Sequence, residues 1–428
     1  MTDNILKELQ WRGLVYDATE GIEELLNGKN KITLYNGFDP TGSSLHVGNL
    51  VPMVQLARFQ RFGHTPIAIA GGGTGMVGDP SGKSEERNLL TPAEIEANLE
   101  AIRPQLAGIL DFEAKGNPAR IINNADWLAR VPMMEFLRDV GKHFSVNYMM
   151  AKESVRSRLE REEGISYTEF SYMLLQAYDF LTLYRQENCQ LQTGGSDQWG
   201  NIVAGTELIR KKLAGKAHGL VYPLITGSGG TKFGKTAGGD TVWLDPGLTS
   251  PYRFYQWLLN TEDGLVIDYL KYFTFLDRAT IARLAEQVVT APEGREAQRR
   301  LAEEVTGMVH GPTALQKARV ASDVLFGGEL TGLDAGDIAD IFADVPSSDL
   351  PKAELEGEGA LVIDLVANST LAPSRGQAKR DIKGGGIYLN NVRVEELGRM
   401  VTLADTVDGQ FLVLRKGKKR YHLVRIRN

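Results

Sequence analysis

The chain has 428 residues, 42% hydrophobic and 24% charged, enough for roughly two to four domains of an ordinary globular protein. A single cysteine, Cys189, excludes an internal disulfide and a cysteine-built zinc cluster, and six histidines (His46, His64, His143, His218, His310, His422) without ligand spacing argue against a histidine-held metal. The net charge of −6 hides an asymmetry: residues 359–428 carry 13 Lys and Arg against 6 Asp and Glu, a net +7, while the rest carries 35 against 48, a net −13. A basic tail on an acidic body suits contact with a polyanion; the alternative is a solvated basic face.

The opening "MTDNILKELQWRGLV" has acidic residues and helical apolar spacing, with neither a signal-peptide core nor the composition of a transit peptide. No uncharged apolar run reaches membrane-spanning length, so a cytoplasmic protein is expected. "KITLYNGF" reads as a strand, followed by the loop "DPTGSSL" and a helix through "VGNLVPMVQLARFQRFG". In that helix Val47, Leu50, Val51, Val54 and Ala57 share one side, with Arg58 and Arg61 on the other. "TPIAIAGGG" is a continuous apolar strand, "ARIINNADWL" and "ENCQLQTGG" repeat the strand-then-polar-loop pattern, and "GLVYPLI" is a further strand. Helices such as "TEFSYMLLQAYDFLTLYRQ" separate them. This alternation predicts an α/β fold, a doubly wound parallel sheet with ligand loops at the strand carboxyl ends, over residues 1–242. Helix-like segments broken by Gly and Pro fill 243–343. The polar stretch 344–358 reads as a linker, and 359–428 as a small basic α+β domain with helices at "LVIDLVAN" and "SRGQAKRDIKGG" and strands at "IYLNNVRV" and "FLVLRKGKKRYHLVRI".

Two nucleotide motifs nearly occur. "GTGMVG" (Gly73–Gly78) matches the dinucleotide fingerprint after a strand, but Pro80 would fall in the early turns of the helix that fingerprint requires. "GDPSGKS" lacks the first glycine of a P-loop, because position 77 is Val77. What survives is a Gly-rich loop open to close backbone approach, with Asp79, Lys83 and Arg87 nearby. The turn Asp39-Pro40-Thr41-Gly42 leads to His46 at a helix start, where unsatisfied N–H groups favour phosphate. His46 and Asn49 share a helical side, and Gly48 leaves room for a flat base; the alternative is that His46 caps the helix and Gly48 serves packing. In "GSGGTKFGKTAGGDTVWLD", Lys232 and Lys235 sit in a Gly/Thr-rich loop with few apolar anchors, able to neutralise a leaving triphosphate.

H-V-G-N and K-F-G-K-T resemble the two signatures of the class I aminoacyl-tRNA synthetases. "YNGFDPTGSSLHVGNL", "GGGTGMVGDPSGKSEER", "RDVGKHFSVNYMM", "ISYTEFSYMLLQAYDF", "GGSDQWGN", "PLITGSGGTKFGKT" and "WLDP" resemble, in order, the bacterial tyrosine-activating branch of that family. "SRGQAKRDIKGGGIYLNN" resembles a small RNA-binding domain first known from a ribosomal protein. The resemblance implies a ligase that activates L-tyrosine with ATP, accompanied by Mg2+, and transfers it to tRNA(Tyr). It implies a homodimer formed through an insertion near 124–165 and an anticodon-region role for the helical segment.

By resemblance, Thr41, His46 and Asn49 act on the ATP phosphates, and Lys83, Arg87, Lys232, Lys235 and Thr236 close over pyrophosphate. Asn36, Gly37, Asp39, Gly48, Gly195 and Asp197 line the ATP site. Tyr35 and Asp179 read the tyrosine hydroxyl, while Asp79, Tyr172, Gln176 and Gln198 hold its α-ammonium. Tyr172, Gln176 and Asp179 are spaced to lie along one helical stripe. Arg375, Lys379, Arg380, Lys383, Arg415, Lys416, Lys418, Lys419 and Arg420 contact RNA phosphates. Asn49 replaces the second signature histidine and cannot carry positive charge. A tryptophan-activating sibling and a noncatalytic RNA-binding paralogue are the rival readings.

Overall fold

The computed structural model describes residues 4–27, 30–81, 90–160, 164–227, 233–234, 239–325, 327–343, 345–418 and 420–427. They form two units, 1–248 with 261–309, and 249–260 with 310–428. The segment expected as one helical domain is thus divided between them.

In the first unit, β1 (Asp17–Ala18), β2 (Thr33–Phe38), β3 (Thr65–Ala70), β4 (Arg120–Asn123), β5 (Cys189–Gly195) and β6 (His218–Tyr222) form one sheet in the order β1-β6-β5-β2-β3-β4. The five strands expected from sequence run parallel; β1 alone pairs antiparallel, with β6. A two-residue strand has no periodicity to betray it. The chain runs outward from β2 to β3 and β4, then returns to the other side of β2 for β5 and β6. An open α/β sheet binds ligands where its direction reverses in this way. Here β2 and β5 stop pairing at Tyr35↔Gln192 although they continue to Phe38 and Gly195, so a crevice opens at their carboxyl ends.

The Tyr167–Glu187 helix covers this region. Its N-cap Ser166 accepts the Glu169 N–H, and Asn188 ends it in a left-handed conformation (φ 49°). Met173, Leu174, Ala177, Phe180 and Leu181 bury against Tyr35, Ile67 and Ile69. Arg158 makes a buried ion pair with Glu169, Nη2 to Oε2 2.9 Å, tying the Glu153–Leu159 helix to the first turn of this one.

The Leu50–Arg61 helix corrects one reading. Arg58 is 2% exposed, its guanidinium donating to Thr274 O (2.8 Å) and Gln55 Oε1 (3.3 Å). Arg12 donates to the same carbonyl (3.1 Å) and to those of Lys271 and Leu276 (both 2.8 Å). Charge alone placed Arg58 outside; carbonyls presented by a distant chain segment draw it in.

Ala214 ends the Trp199–Leu213 helix at φ 51°, where a Cβ is strained and the side chain is exposed. Ala214→Gly should therefore raise the stability of the chain by about 0.5–1 kcal/mol in denaturant unfolding; a loss would contradict the strain argument.

In the second unit, β7 (Ser347–Pro351), β9 (Ile387–Leu389), β10 (Val392–Arg393), β12 (Phe411–Lys416) and β13 (Arg420–Arg427) form a sheet in the order β10-β9-β12-β13-β7. β8 (Ala360–Leu361) pairs with β11 (Met400–Val401). The helices Val362–Ala367 and Arg375–Lys383 occur as expected. The stretch read as a linker holds β7, which pairs parallel with β13 from Ser347↔Leu423 to Pro351↔Arg427. Tyr252, Ala321, Val324, Ile338 and Phe342 share a core with Val413, Tyr421 and Leu423. The Glu296–Val324 helical run is interrupted at Gly311 (φ 83°, ψ 170°), just before Pro312.

Candidate active site

β2 and the Tyr167–Glu187 helix bring Tyr35 and Asp179 together at the crevice floor. Asp179 is 3% exposed; its Oδ1 accepts the Trp127 indole N–H (2.6 Å) and its Oδ2 the Asn124 amide (2.9 Å). Burial pushes its carboxyl up to about 8, against the opposing pull of those two donors. Tyr35 is buried edge-on to Phe180, and its hydroxyl has no hydrogen-bond partner among the described residues. Burial first, and the Asp179 charge second, raise that phenol well above its usual range.

The Asp179 value has a stability consequence. A native carboxyl raised to about 8 keeps a proton that the unfolded chain loses near pH 4. This group therefore makes stability fall as pH rises between those values. Asp179→Asn should flatten that slope in denaturant midpoints compared at pH 5 and 7.5; equal slopes would show that Asp179 is ionised throughout.

A second polar cluster lies around Asp79. Its Oδ2 accepts the Gln198 amide (2.6 Å) and its Oδ1 the Ser81 N–H (3.0 Å). The Gln198 carbonyl accepts from Gln176 (3.2 Å), and Asn201 donates to Gln176 (3.0 Å) and Gln198 (3.3 Å). Tyr172 instead donates to Asp39 Oδ2 (3.1 Å), whose Oδ1 accepts from Thr74 (3.0 Å). The helical stripe of Tyr172, Gln176 and Asp179 thus faces two connected polar groups.

The glycine run after β3 serves these side chains. A Cβ at Gly71 would fall on Asp39 Oδ1, one at Gly72 on Asn123 Oδ1, and one at Gly73 2.8 Å from Leu128 Cδ1. Asn124 Oδ1 accepts the Gly73 N–H (2.7 Å) while its amide reaches Thr74 (3.0 Å) and Asp179. The run Gly71–Gly73 is a set of close approaches of the backbone to side chains, polar ones at Gly71 and Gly72.

At the other lip, His46 caps the Val47–Asn49 turn: its Nδ1 accepts the Gly48 N–H (3.0 Å) and its own N–H donates to Asn49 Oδ1 (3.0 Å). A Cβ on Gly48 would lie 2.6 Å from the His46 ring, so this glycine makes room for the histidine. With Nδ1 accepting, the neutral ring carries its proton on Nε2. Asn36 donates to Gly37 O (3.0 Å) and accepts from Thr193 (3.3 Å); Gly37 and Thr41 are exposed. A Cβ on Gly195 would lie 2.5 Å from Asp197, whose carboxyl is raised by burial and then by Asp79.

Lys83, Arg87, Lys232, Lys235, Thr236 and Lys419 lie outside the described residues. Phe233 and Gly234 are described and differ from an unanchored loop. Phe233 is 8% exposed, stacked on Phe273 (5.3 Å between centroids, 14°) and edge-on to Tyr269 (5.2 Å).

In the tail, Arg375, Lys379, Arg380, Lys383, Lys418 and Arg420 are exposed, Arg375 pairing with Asp364 (2.6 Å) and Arg420 donating to Thr370 O (3.0 Å). Arg415 is not on that face: it is 7% exposed, lies 3.7 Å over the Tyr388 ring, and donates to Asn391 Oδ1 (2.7 Å) and Gly417 O (2.6 Å). Lys416 is half-buried against Asp381 (2.6 Å). Reading a basic run as a surface missed that β12 is covered on both faces, with Leu412 to Arg415 all buried.

Sequence reasoning also missed Asn124, Trp127, Thr74 and Asn201 as site residues, though "NNADWL" and "GGSDQWGN" contain three of them. Gln192, on β5 opposite Tyr35, is 2% exposed with Oε1 unpaired among the described residues. A polar residue at an inward position of a parallel strand was the available signal.

Residues 27–327 match the family of class I tRNA synthetases (W and Y), and residues 337–424 match the tyrosine–tRNA ligase C-terminal domain. A tyrosine–tRNA ligase from Roseiflexus castenholzii is 58% identical over 99% of both chains, and one from Bacillus caldotenax 53% identical over 99% of both. The chain belongs to the tyrosine–tRNA ligase family. It is a ligase, with the α/β catalytic fold and C-terminal α+β domain of that family. A C-terminally truncated mitochondrial tyrosyl-tRNA synthetase from Aspergillus nidulans superposes with a TM-score of 0.68 at 30% identity, over 76% of this chain and 94% of that one. A tryptophanyl-tRNA synthetase from Plasmodium falciparum, 14% identical with a TM-score of 0.52 over 78% of this chain and 87% of that one, shares the fold. No helix among the described residues is long and apolar enough to cross a membrane.

Proposed function

We propose that this ligase activates tyrosine with ATP in the β2/β5 crevice and passes it to tRNA(Tyr) in the cytoplasm. One observation carries the tyrosine reading: a buried carboxyl, Asp179, beside the buried hydroxyl of Tyr35, which has no partner among the described residues. Together they offer both an acceptor and a donor to a substrate phenol. Asn124 and Trp127 fix the Asp179 carboxyl, which keeps acceptor capacity for a substrate hydroxyl. Asp79, with Gln176 and Gln198, receives the α-ammonium; Tyr172 contributes after exchanging or sharing its bond to Asp39.

In the first step the tyrosine carboxylate attacks the α-phosphorus, the bond to the bridging oxygen breaks, and pyrophosphate leaves with its electron pair. ATP enters with magnesium as part of the substrate. Thr41, Asn49 and the His46 Nε2–H serve the phosphates. Asn49 acts as a neutral donor, while its Oδ1 holds the turn. Lys83, Arg87, Lys232, Lys235 and Thr236 neutralise pyrophosphate, each preorganised donor worth on the order of 10²–10³ in rate. Asn36, Gly37, Asp39, Gly48, Gly195 and Asp197 form the adenosine side. In the second step a terminal ribose hydroxyl of tRNA takes the acyl group and AMP leaves. The exposed Arg375, Lys379, Arg380, Lys383, Lys418 and Arg420 supply phosphate contacts.

The Met133–Asp139 helix and its neighbours support a homodimer. Met133, Met134, Val146, Met150 and Tyr167 are exposed apolar side chains on 133–167. The full chain should sediment as a dimer, and Met133→Lys with Met134→Glu should shift it toward monomer; a monomeric wild type would reject this surface.

Amino-acid-dependent exchange of labelled pyrophosphate into ATP tests the activity. Exchange with tyrosine alone supports the reading, exchange with tryptophan moves the chain to the sibling activity, and no exchange with either indicates a noncatalytic paralogue.

A further inference from the structure

The loop that carries Thr41 and leads into His46 is tied at both ends to one helix, Pro92–Ala107. This helix opens with a capping box, Thr91 with Glu94, and Pro92 in its first turn. Its buried stripe is Ile95, Leu99, Ile102 and Leu106. Asn98 and Gln105 stand three positions after Ile95 and Ile102, so they share a side next to that stripe, two turns or about 10.5 Å apart. Asn98 Nδ2 donates to Pro40 O (3.0 Å), and Gln105 Oε1 accepts the Leu45 N–H (2.9 Å). A backbone N–H only donates, so the amide atom facing Leu45 is the oxygen, and Gln105 Nε2 lies toward Ala101 O of its own helix (3.5 Å). Leu45 and Ser44 are buried, at 4% and 6% exposure. The Leu45 carbonyl accepts from Ser44 Oγ (2.7 Å) and from the Leu244 N–H (2.9 Å), and Ser44 Oγ accepts the Asp245 N–H (3.1 Å). Between the two ties, Thr41 and Ser43 are exposed, and His46 follows Leu45 directly.

We propose that Gln105, assisted by Asn98, is a positioning residue for amino-acid activation, holding Thr41 and His46 in place through the backbone at Leu45 and Pro40. The inference rests on the reading that Thr41 and His46 meet the ATP phosphates. A helix is stiff, so two side chains fixed on it set the distance between the ends of the loop that spans them. Gln105 is the stronger of the two ties. The amide it accepts is buried, and a buried N–H without an acceptor must shift until it finds one. That shift passes to His46, the next residue. Asn98 holds Pro40, whose ring also packs over Gly75: a Cβ there would lie 3.3 Å from Pro40 Cδ.

The test uses the full chain with Gln105→Met, Gln105→Glu and Asn98→Leu, measuring kcat of tyrosine-dependent pyrophosphate exchange and, separately, tyrosine binding by equilibrium dialysis. Gln105→Met keeps an unbranched side chain of similar length and removes the acceptor. It should lower kcat on the order of 10²-fold, the effect of a misplacement of about 1 Å. Its tyrosine affinity should stay unchanged, because Asp79 and Asp179 are held by other partners. Gln105→Glu keeps an acceptor for the Leu45 N–H and should recover most of the rate. Asn98→Leu should lower kcat by a smaller factor, again without loss of tyrosine binding. Rate retention by Gln105→Met, loss of tyrosine affinity in step with rate, or failure of glutamate to rescue would each overturn the inference while leaving the functional reading in place. A wild type with no exchange would overturn the functional reading itself, and this inference with it.

Discussion

Replacing Asp179 with alanine should reduce tyrosine-dependent exchange by on the order of 10–10² while changing phenylalanine-dependent exchange little, so that the preference between the two narrows by that factor. Two effects follow. The substrate hydroxyl is left without its buried partner, which costs about 1–3 kcal/mol. The Asn124 amide and the Trp127 indole also lose the group that accepted them, and the cost, about 1–3 kcal/mol for each unpaired donor, falls on folding stability and not on the choice between the two amino acids. Phenylalanine brings no hydroxyl and loses nothing by the first effect. A site built to bond a hydroxyl rejects the analogue lacking it by about 10⁴–10⁵, a figure known from this enzyme family itself and not read from this chain. The measurement is kcat/KM for both amino acids in wild type and variant. If the ratio survives, Tyr35 reads the phenol alone.

The second large effect is on stability. Arg158→Ala should cost about 3–5 kcal/mol in denaturant unfolding of the first unit, because Glu169 would remain as a buried charge without its cation. The side chains are only 5% and 1% exposed, so water cannot replace the guanidinium cheaply. Arg158→Met combined with Glu169→Leu should cost much less than the single change, since it removes both charges and keeps volume. The pair anchors the first turn of the helix bearing Tyr172, Gln176 and Asp179, so the single variant should also weaken tyrosine binding. A loss below 1 kcal/mol for Arg158→Ala would mean that Glu169 is held neutral.

The sequence was most legible where local pattern and long-range structure agree. The five parallel strands follow from apolar runs ended by Gly and Asn, and the polar stripe of Tyr172, Gln176 and Asp179 follows from residues four and three apart on one helix. The identities of the Asp179 partners were not legible. Asn124 and Trp127 stand more than fifty positions away and reach it only because β4 delivers the following turn beneath the helix. Arg58 and Arg415 were misread, and the anchoring of Phe233 was not foreseen, for a related reason. Whether a cation or an aromatic ring is inside depends on acceptors and ring partners supplied by distant segments, and composition cannot show these. The strands β1 and β7 were missed because an edge strand of two to five residues carries little alternation of its own.

The pairing of β7 with β13 bears on how the tail can be isolated. A fragment begun at Gly359, where the basic composition starts, would leave out Ser347–Pro351 and strip one whole flank from the Arg420–Arg427 strand. That flank would present unsatisfied amides and carbonyls to any neighbouring chain, inviting intermolecular addition of a strand. Such a fragment would tend to self-associate, and poor RNA binding by it would report a cut made through a sheet. A fragment retaining the residues before Ser347 keeps its own edge covered, and its RNA affinity can be read as a property of the intact surface.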